Sequence, residues 1–122
     1  MRIAVAGASG LIGRRLVADL TSHGHSVVRL VRRAPMSADE VRWDPAAGTV
    51  DLDRLHGLDV IINLAGAGVG DRRWTDAYKT QILQSRVDST RTIAIAAAAL
   101  RPAVLINASA IGWYGDTGDE WV

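Results

Sequence analysis

Cysteine is absent from the 122-residue sequence. That removes disulfides, thiolate nucleophiles and cysteine-based zinc sites, and it fits a reducing compartment, so a cytoplasmic location is expected. Proline occurs only 3 times while 48% of the residues are apolar, the composition of a globular chain and not of a disordered one. A large charge of one sign is missing as well. Fourteen basic against thirteen acidic side chains leave a formal +1, far from the basic footprint of a nucleic-acid binder, so nucleic acid is not an expected partner. The histidines at 23, 25 and 56 show no paired ligand spacing, and no metal site is expected. Uncharged runs such as Thr92–Leu100 stop short of the roughly 20 residues that cross a bilayer, so no membrane partner is expected. The run Ile3–Gly13 behind Met1 and Arg2 has the outline of a short leader. Its glycines cost a helix about 1 kcal/mol each, which argues against that reading. At roughly 150 residues per domain, the chain has room for one.

Short apolar runs alternate with amphipathic stretches, the pattern of a parallel sheet covered by helices. Ile3–Ala6 reads as a first strand. Leu11–Ser22 reads as a helix, with Leu11, Ile12, Leu16, Val17 and Leu20 on its apolar face and Gly24 at its stop. Ser26–Val31 is a second strand, and Val41–Trp43 a brief third one. Asp51–His56 fits one short helix. Asp59–Leu64 forms a fourth strand, its unbroken Val60-Ile61-Ile62 typical of burial on both faces. Thr75–Leu100 predicts one helix or two in tandem, with Leu83, Val87, Thr90, Ala94 and Ala98 as a stripe, ended by Arg101-Pro102. Ala103–Ala108 completes five strands. The expected architecture is α/β, a Rossmann-like doubly wound parallel sheet with strand order 3-2-1-4-5.

Gly7, Gly10 and Gly13 recur at spacing three where the first strand hands over to the first helix. A helix start offers unpaired amides and a partial positive charge to a phosphate, provided no side chain blocks the approach. Gly7 permits the tight turn, Gly10 lets a pyrophosphate approach the backbone, and Gly13 lets helix and strand pack, while Ser9 offers a hydroxyl. The bland alternative is a turn with two packing glycines. The absence of a following Gly-Lys-Ser/Thr excludes a Walker loop. No acid lies between Ser26 and Ser37, where one would accept the ribose 2'-hydroxyl of NAD; Arg29, Arg32 and Arg33 lie there instead. Arginine forks suit a 2'-phosphate, so Arg32 and Arg33 point to NADP over NAD, the alternative being a solvated strand end. Leu64, Ala65 and Gly66 follow Asn63 at the fourth strand's end, where a nucleotide crosses the sheet. Asn107-Ala108-Ser109-Ala110 brings a hydroxyl to the same edge from the fifth strand.

With the glycine spacing, Trp43-Asp44-Pro45, Asn63-Leu64-Ala65-Gly66, Arg73-Trp74, Ser85-Arg86-Val87 and Ser109-Ala110-Ile111-Gly112-Trp113-Tyr114-Gly115, the whole chain resembles the short-chain dehydrogenase/reductase superfamily. The similarity is greatest to its atypical, epimerase-like branch, labelled nucleoside-diphosphate-sugar epimerase or cell-division inhibitor. The resemblance implies that Ser9, Gly10, Leu11, Ile12, Arg32, Leu64, Ala65, Gln81 and Arg86 line an NADP site. It also implies that a serine, matched by Ser109, positions substrate for a tyrosine with a lysine four residues on, the general acid/base pair of active members. Tyr114 is followed at that distance by Gly118, and in epimerase-like proteins this Tyr-Gly pair belongs to a separate motif ahead of the catalytic tyrosine. The family continues with a further helix, a sixth strand and a substrate-binding part.

Two expectations follow about the chain itself. It is the N-terminal part of a longer protein, inactive alone, or a minimal nucleotide-binding half that covers its exposed sheet by self-association. Three functional readings stand beside them. The first is the cofactor half of an NADP-dependent oxidoreductase or epimerase acting on an unknown small molecule; the second is a non-catalytic NADP-binding or redox-sensing module; the third is a structural or interaction role.

Overall fold

A computed structural model describes residues 1–109, 116 and 118–121. Its elements run β1 (Arg2–Ala6), α1 (Leu11–Ser22), β2 (Ser26–Val31), β3 (Glu40–Asp44), β4 (Thr49–Val50), a 3₁₀ turn (Leu52–Leu55), β5 (Val60–Asn63), α2 (Asp76–Leu100) and β6 (Val104–Asn107). The described residues form one six-stranded sheet in the order β4-β3-β2-β1-β5-β6. Five strands are parallel and keep the expected order, with β1 in register against both β2 (Ile3 opposite Val27) and β5 (Ile3 opposite Val60). The sixth, β4, is an antiparallel ribbon pairing Trp43 with Val50. Sequence reading overlooks it because two residues carry no measurable alternation. The helix expected over Asp51–His56 shrinks to the 3₁₀ turn for the same reason of length.

Period-two alternation divides the core into two layers. Ile3, Val5, Val60 and Ile62 meet Leu16, Val17 and Leu20 of α1. Ala4, Ala6, Val28, Leu30, Val41, Trp43 and Ile61 face the other way, toward Ile93, Ala97 and Leu100 of α2. Helices therefore cover both faces, which is the doubly wound arrangement.

Each helix departs from its expected apolar face. On α1, Leu11 and Ile12 are 84% and 68% exposed, because the first turn overhangs the sheet's carboxyl edge. On α2 the whole stripe Leu83, Val87, Thr90, Ala94 and Ala98 is exposed. The buried face is Tyr78, Ser89, Thr92, Ile93 and Ala96. The physical reason is that α2 is apolar on two sides, and the sheet takes the side whose small and hydroxyl-bearing residues permit close approach. Ser89 and Thr92 remain satisfied there, Thr92 donating to the Pro45 carbonyl at 3.3 Å and Ser89 to the Arg86 carbonyl at 3.2 Å. Thr75 caps α2 by accepting from the Tyr78 amide at 3.1 Å. Arg101, left-handed at φ 52° ahead of Pro102, stops it.

Candidate nucleotide-binding site

The chain runs outward from β1 through β2, β3 and β4 and then crosses back to place β5 on the other side of β1, so the strand order reverses there. The carboxyl ends of β1 and β5 therefore flank the crevice where open sheets of this kind bind ligands. A cleft of about 1340 Å³ lies there, larger than the roughly 300–1,000 Å³ typical of small-ligand pockets. Its walls come from the turn after β1 (Gly7–Gly10), the end of β2 (Arg29–Arg33), the loop after β5 (Leu64–Gly68) and α2 (Gln81, Gln84, Ser85).

The three glycines of the turn have separate duties. Gly7 sits at φ +78°, and a Cβ on it would lie 2.7 Å from the Leu64 carbonyl carbon. A Cβ on Gly13 would collide with the Gly7 carbonyl oxygen. Both are obligatory for the fold. Gly10 is different: its backbone is extended, and an added Cβ would make only an ordinary 3.4 Å contact with Gly7. The room it leaves belongs to the cleft. Helix α1 begins at Gly10 with no side-chain cap and no acid in its first turn, so its leading amides keep their positive potential for an external acceptor. Leu11, Ile12 and Gly13, expected at this site, are not among the cleft's walls.

The arginines at the end of β2 are not equivalent. Arg33 makes a two-pronged ion pair with Glu40, both arms at 2.7 Å. Glu40 is 2% exposed and also accepts from the Met36 amide at 2.8 Å. The Arg33 fork, then the Met36 amide, lower the Glu40 carboxyl to about 2, and Glu40 in turn raises Arg33. Arg29 is held by Asp39 at 2.8 Å and lies 3.4 Å from Glu40. Among the described residues no hydrogen bond or ion pair engages the Arg32 guanidinium, which is exposed at the cleft wall. Of the two arginines expected to take a 2'-phosphate, Arg32 is free to do so while Arg33 is bound to a buried carboxylate. Glu40 escapes sequence reading because it lies beyond the second strand, and only the pairing of Arg29 with Glu40 across β2 and β3 brings it back.

Across the cleft, the Asn63 side chain donates to Asn107 at 2.7 Å and accepts from the Ala65 amide at 3.1 Å. This shapes the turn that carries Leu64, Ala65 and Gly66 along the cleft. Gln81 lines it as expected. Arg86 does not: its guanidinium lies against Gly66 and donates to the Ala67 carbonyl at 3.0 Å, so it braces the loop from behind. Ser109 is exposed and outside the cleft's walls. Tyr114 lies outside the described residues. Tyr78, unremarked in the sequence, lines the cleft with its hydroxyl donated to the Gly68 carbonyl and Arg72 stacked 5.7 Å above its ring.

Residues 3–120 match the profile of the NAD dependent epimerase/dehydratase family. The chain belongs to that family. An epimerase family protein of Mycobacterium bovis is 43% identical over 120 residues, which are 98% of this chain and 40% of that protein. The crystal structure of a human epimerase family protein with NADPH superposes with a TM-score of 0.77 at 28% identity, covering 93% of this chain and 38% of that one. MoeE5 in complex with UDP-glucose and NAD gives a TM-score of 0.76 at 28% identity, covering all of this chain and 40% of its own. The chain thus spans about 40% of the length of the relatives it matches.

Proposed function

We propose that this chain is the NADP(H)-binding part of an oxidoreductase or nucleotide-sugar epimerase of the atypical short-chain dehydrogenase/reductase type. One observation carries the reading: an uncapped helix start, left bare by Gly10, opens into the same cleft as Arg32, which no other side chain or carbonyl among the described residues engages. The first feature suits a pyrophosphate and the second a 2'-phosphate. The family match and the nucleotides bound by the human protein and by MoeE5 support the assignment. When bound, the nicotinamide supplies hydride transfer. The chain's own residues hold the nucleotide: Gly7, Ser9 and Gly10 at the diphosphate, Arg32 at the adenosine end, Leu64 and Ala65 along the β5 edge, and Gln81 from α2. Titration calorimetry with NADPH and NADH tests this. Tighter binding of NADPH supports it, and equal or absent binding overturns the coenzyme assignment.

A second reading, a non-catalytic NADP-binding or redox-sensing module, is favoured by Tyr78, the one tyrosine among the described residues that lines the cleft. The Tyr78 hydroxyl is committed to a backbone carbonyl and Arg72 covers its ring, so it is poorly placed to shuttle a proton. Oxidation of NADPH by a full-length version of the protein on adding a nucleoside-diphosphate sugar or simple carbonyl compounds separates the two readings.

A further inference from the structure

Four arginines, Arg14, Arg29, Arg32 and Arg33, line the part of the cleft between α1 and the end of β2. Two of them are consumed internally, Arg29 by Asp39 and Arg33 by Glu40. The other two are not, since among the described residues neither the Arg14 nor the Arg32 guanidinium has a hydrogen bond or ion pair. Arg14 belongs to the first turn of α1, its amide bonded to the Gly10 carbonyl at 3.0 Å. Helical side chains lean toward the N-terminus and cover the preceding turn, so Arg14 is carried back over Gly10, toward the cleft. Arg15, about 100° further round the helix, is not among the cleft's walls.

We propose that Arg14 is a second specificity-determining residue, closing with Arg32 a two-arginine clamp around the adenosine 2'-phosphate. The inference rests on the NADP reading above and adds a residue to it. A phosphomonoester carries about −1.5 to −2 charges at pH 7 and offers three acceptor oxygens, more than one guanidinium neutralises or saturates. Arg29 and Arg33 cannot supply the second charge without abandoning Asp39 and the buried Glu40. Arg14 supplies it from the opposite wall. The remaining acids of the cleft, Asp71 and Asp88, come from the loop after β5 and from α2, with Asp88 accepting from Gln84 at 2.7 Å.

The test is calorimetric titration of the wild-type chain and of Arg14→Ala, Arg14→Lys and Arg32→Ala with NADPH and with NADH, circular dichroism confirming that each variant is folded. Alanine suits an exposed helical position, so folding is retained. Arg14→Ala is expected to weaken NADPH about tenfold, equivalent to about 1.4 kcal/mol, and to leave NADH unchanged. Arg14→Lys keeps the charge without the fork and falls between the two. If Arg32→Ala lowers the NADPH/NADH ratio while Arg14→Ala leaves it intact, the clamp is overturned and the NADP reading stands. Equal weakening of both nucleotides by Arg14→Ala places the side chain at the diphosphate and likewise overturns the clamp. A wild-type chain without preference ends the NADP reading itself, and the clamp with it.

Discussion

Gly7 and Gly10 lie three residues apart in one turn, yet substitution separates them cleanly. Gly7→Ala meets both an unfavourable positive φ and the Leu64 carbonyl, so a loss of at least about 1–3 kcal/mol is expected in urea denaturation. Gly10→Val meets neither obstacle. It is expected to leave the denaturation midpoint close to wild type while abolishing nucleotide binding in calorimetry, because its side chain fills the diphosphate's approach. Glu40 provides a second prediction at this scale. Its folded carboxyl sits at about 2 against an ordinary 4.5, so its stabilising effect is complete above pH 4.5 and drains away as pH falls toward 2. In Glu40→Gln the acid-side slope of stability over that window should flatten in urea titrations at stepped pH. Asp39, lowered first by its bond from Ser37 and then by Arg29, leaves a residual slope of the same sign. The glycine turn was legible in the sequence because strand, glycines and helix follow one another along the chain. The Arg33–Glu40 pair was not, since it depends on two strands lying side by side.

Among the elements, α2 shows how periodicity misleads when a helix has two apolar sides. Leu83, Val87, Ala94 and Ala98 form the more regular stripe, but Tyr78, Ser89, Thr92, Ile93 and Ala96 meet the sheet. Hydroxyl groups at buried positions conceal that face from any count of apolar residues. The strands were easier to read, because Val60-Ile61-Ile62 is apolar on both faces and admits no other placement. The expected outcome in thermal or urea unfolding follows from burial. Ile93→Ala should cost about 2–5 kcal/mol. Leu83→Ala, at a position 64% exposed, should stay within about 0.5 kcal/mol.

At the scale of the whole molecule, the two edges of the sheet differ. One ends in β4, a two-residue antiparallel ribbon too short to template another chain. The other ends in β6, whose Val104, Leu105 and Ile106 are all at least 40% exposed. Paired with Val60, Ile61 and Ile62, they present apolar side chains on both faces, and among the described residues no strand pairs with their outer edge. Dynamic light scattering of the chain should therefore show association that grows with concentration. The double substitution Val104→Lys and Ile106→Lys should reduce it; no response would mean that another surface is responsible.

The lock between Arg33 and Glu40 has a practical corollary for anyone recoding coenzyme preference. Exchanging the neighbouring arginines as a block, the obvious edit from a linear alignment, would strand a carboxylate in the interior and blur a change in selectivity into a folding defect. On the NADP reading proposed above, a swap at position 32 with Arg33 left alone keeps that foundation intact, so a change in selectivity can be read without a folding defect.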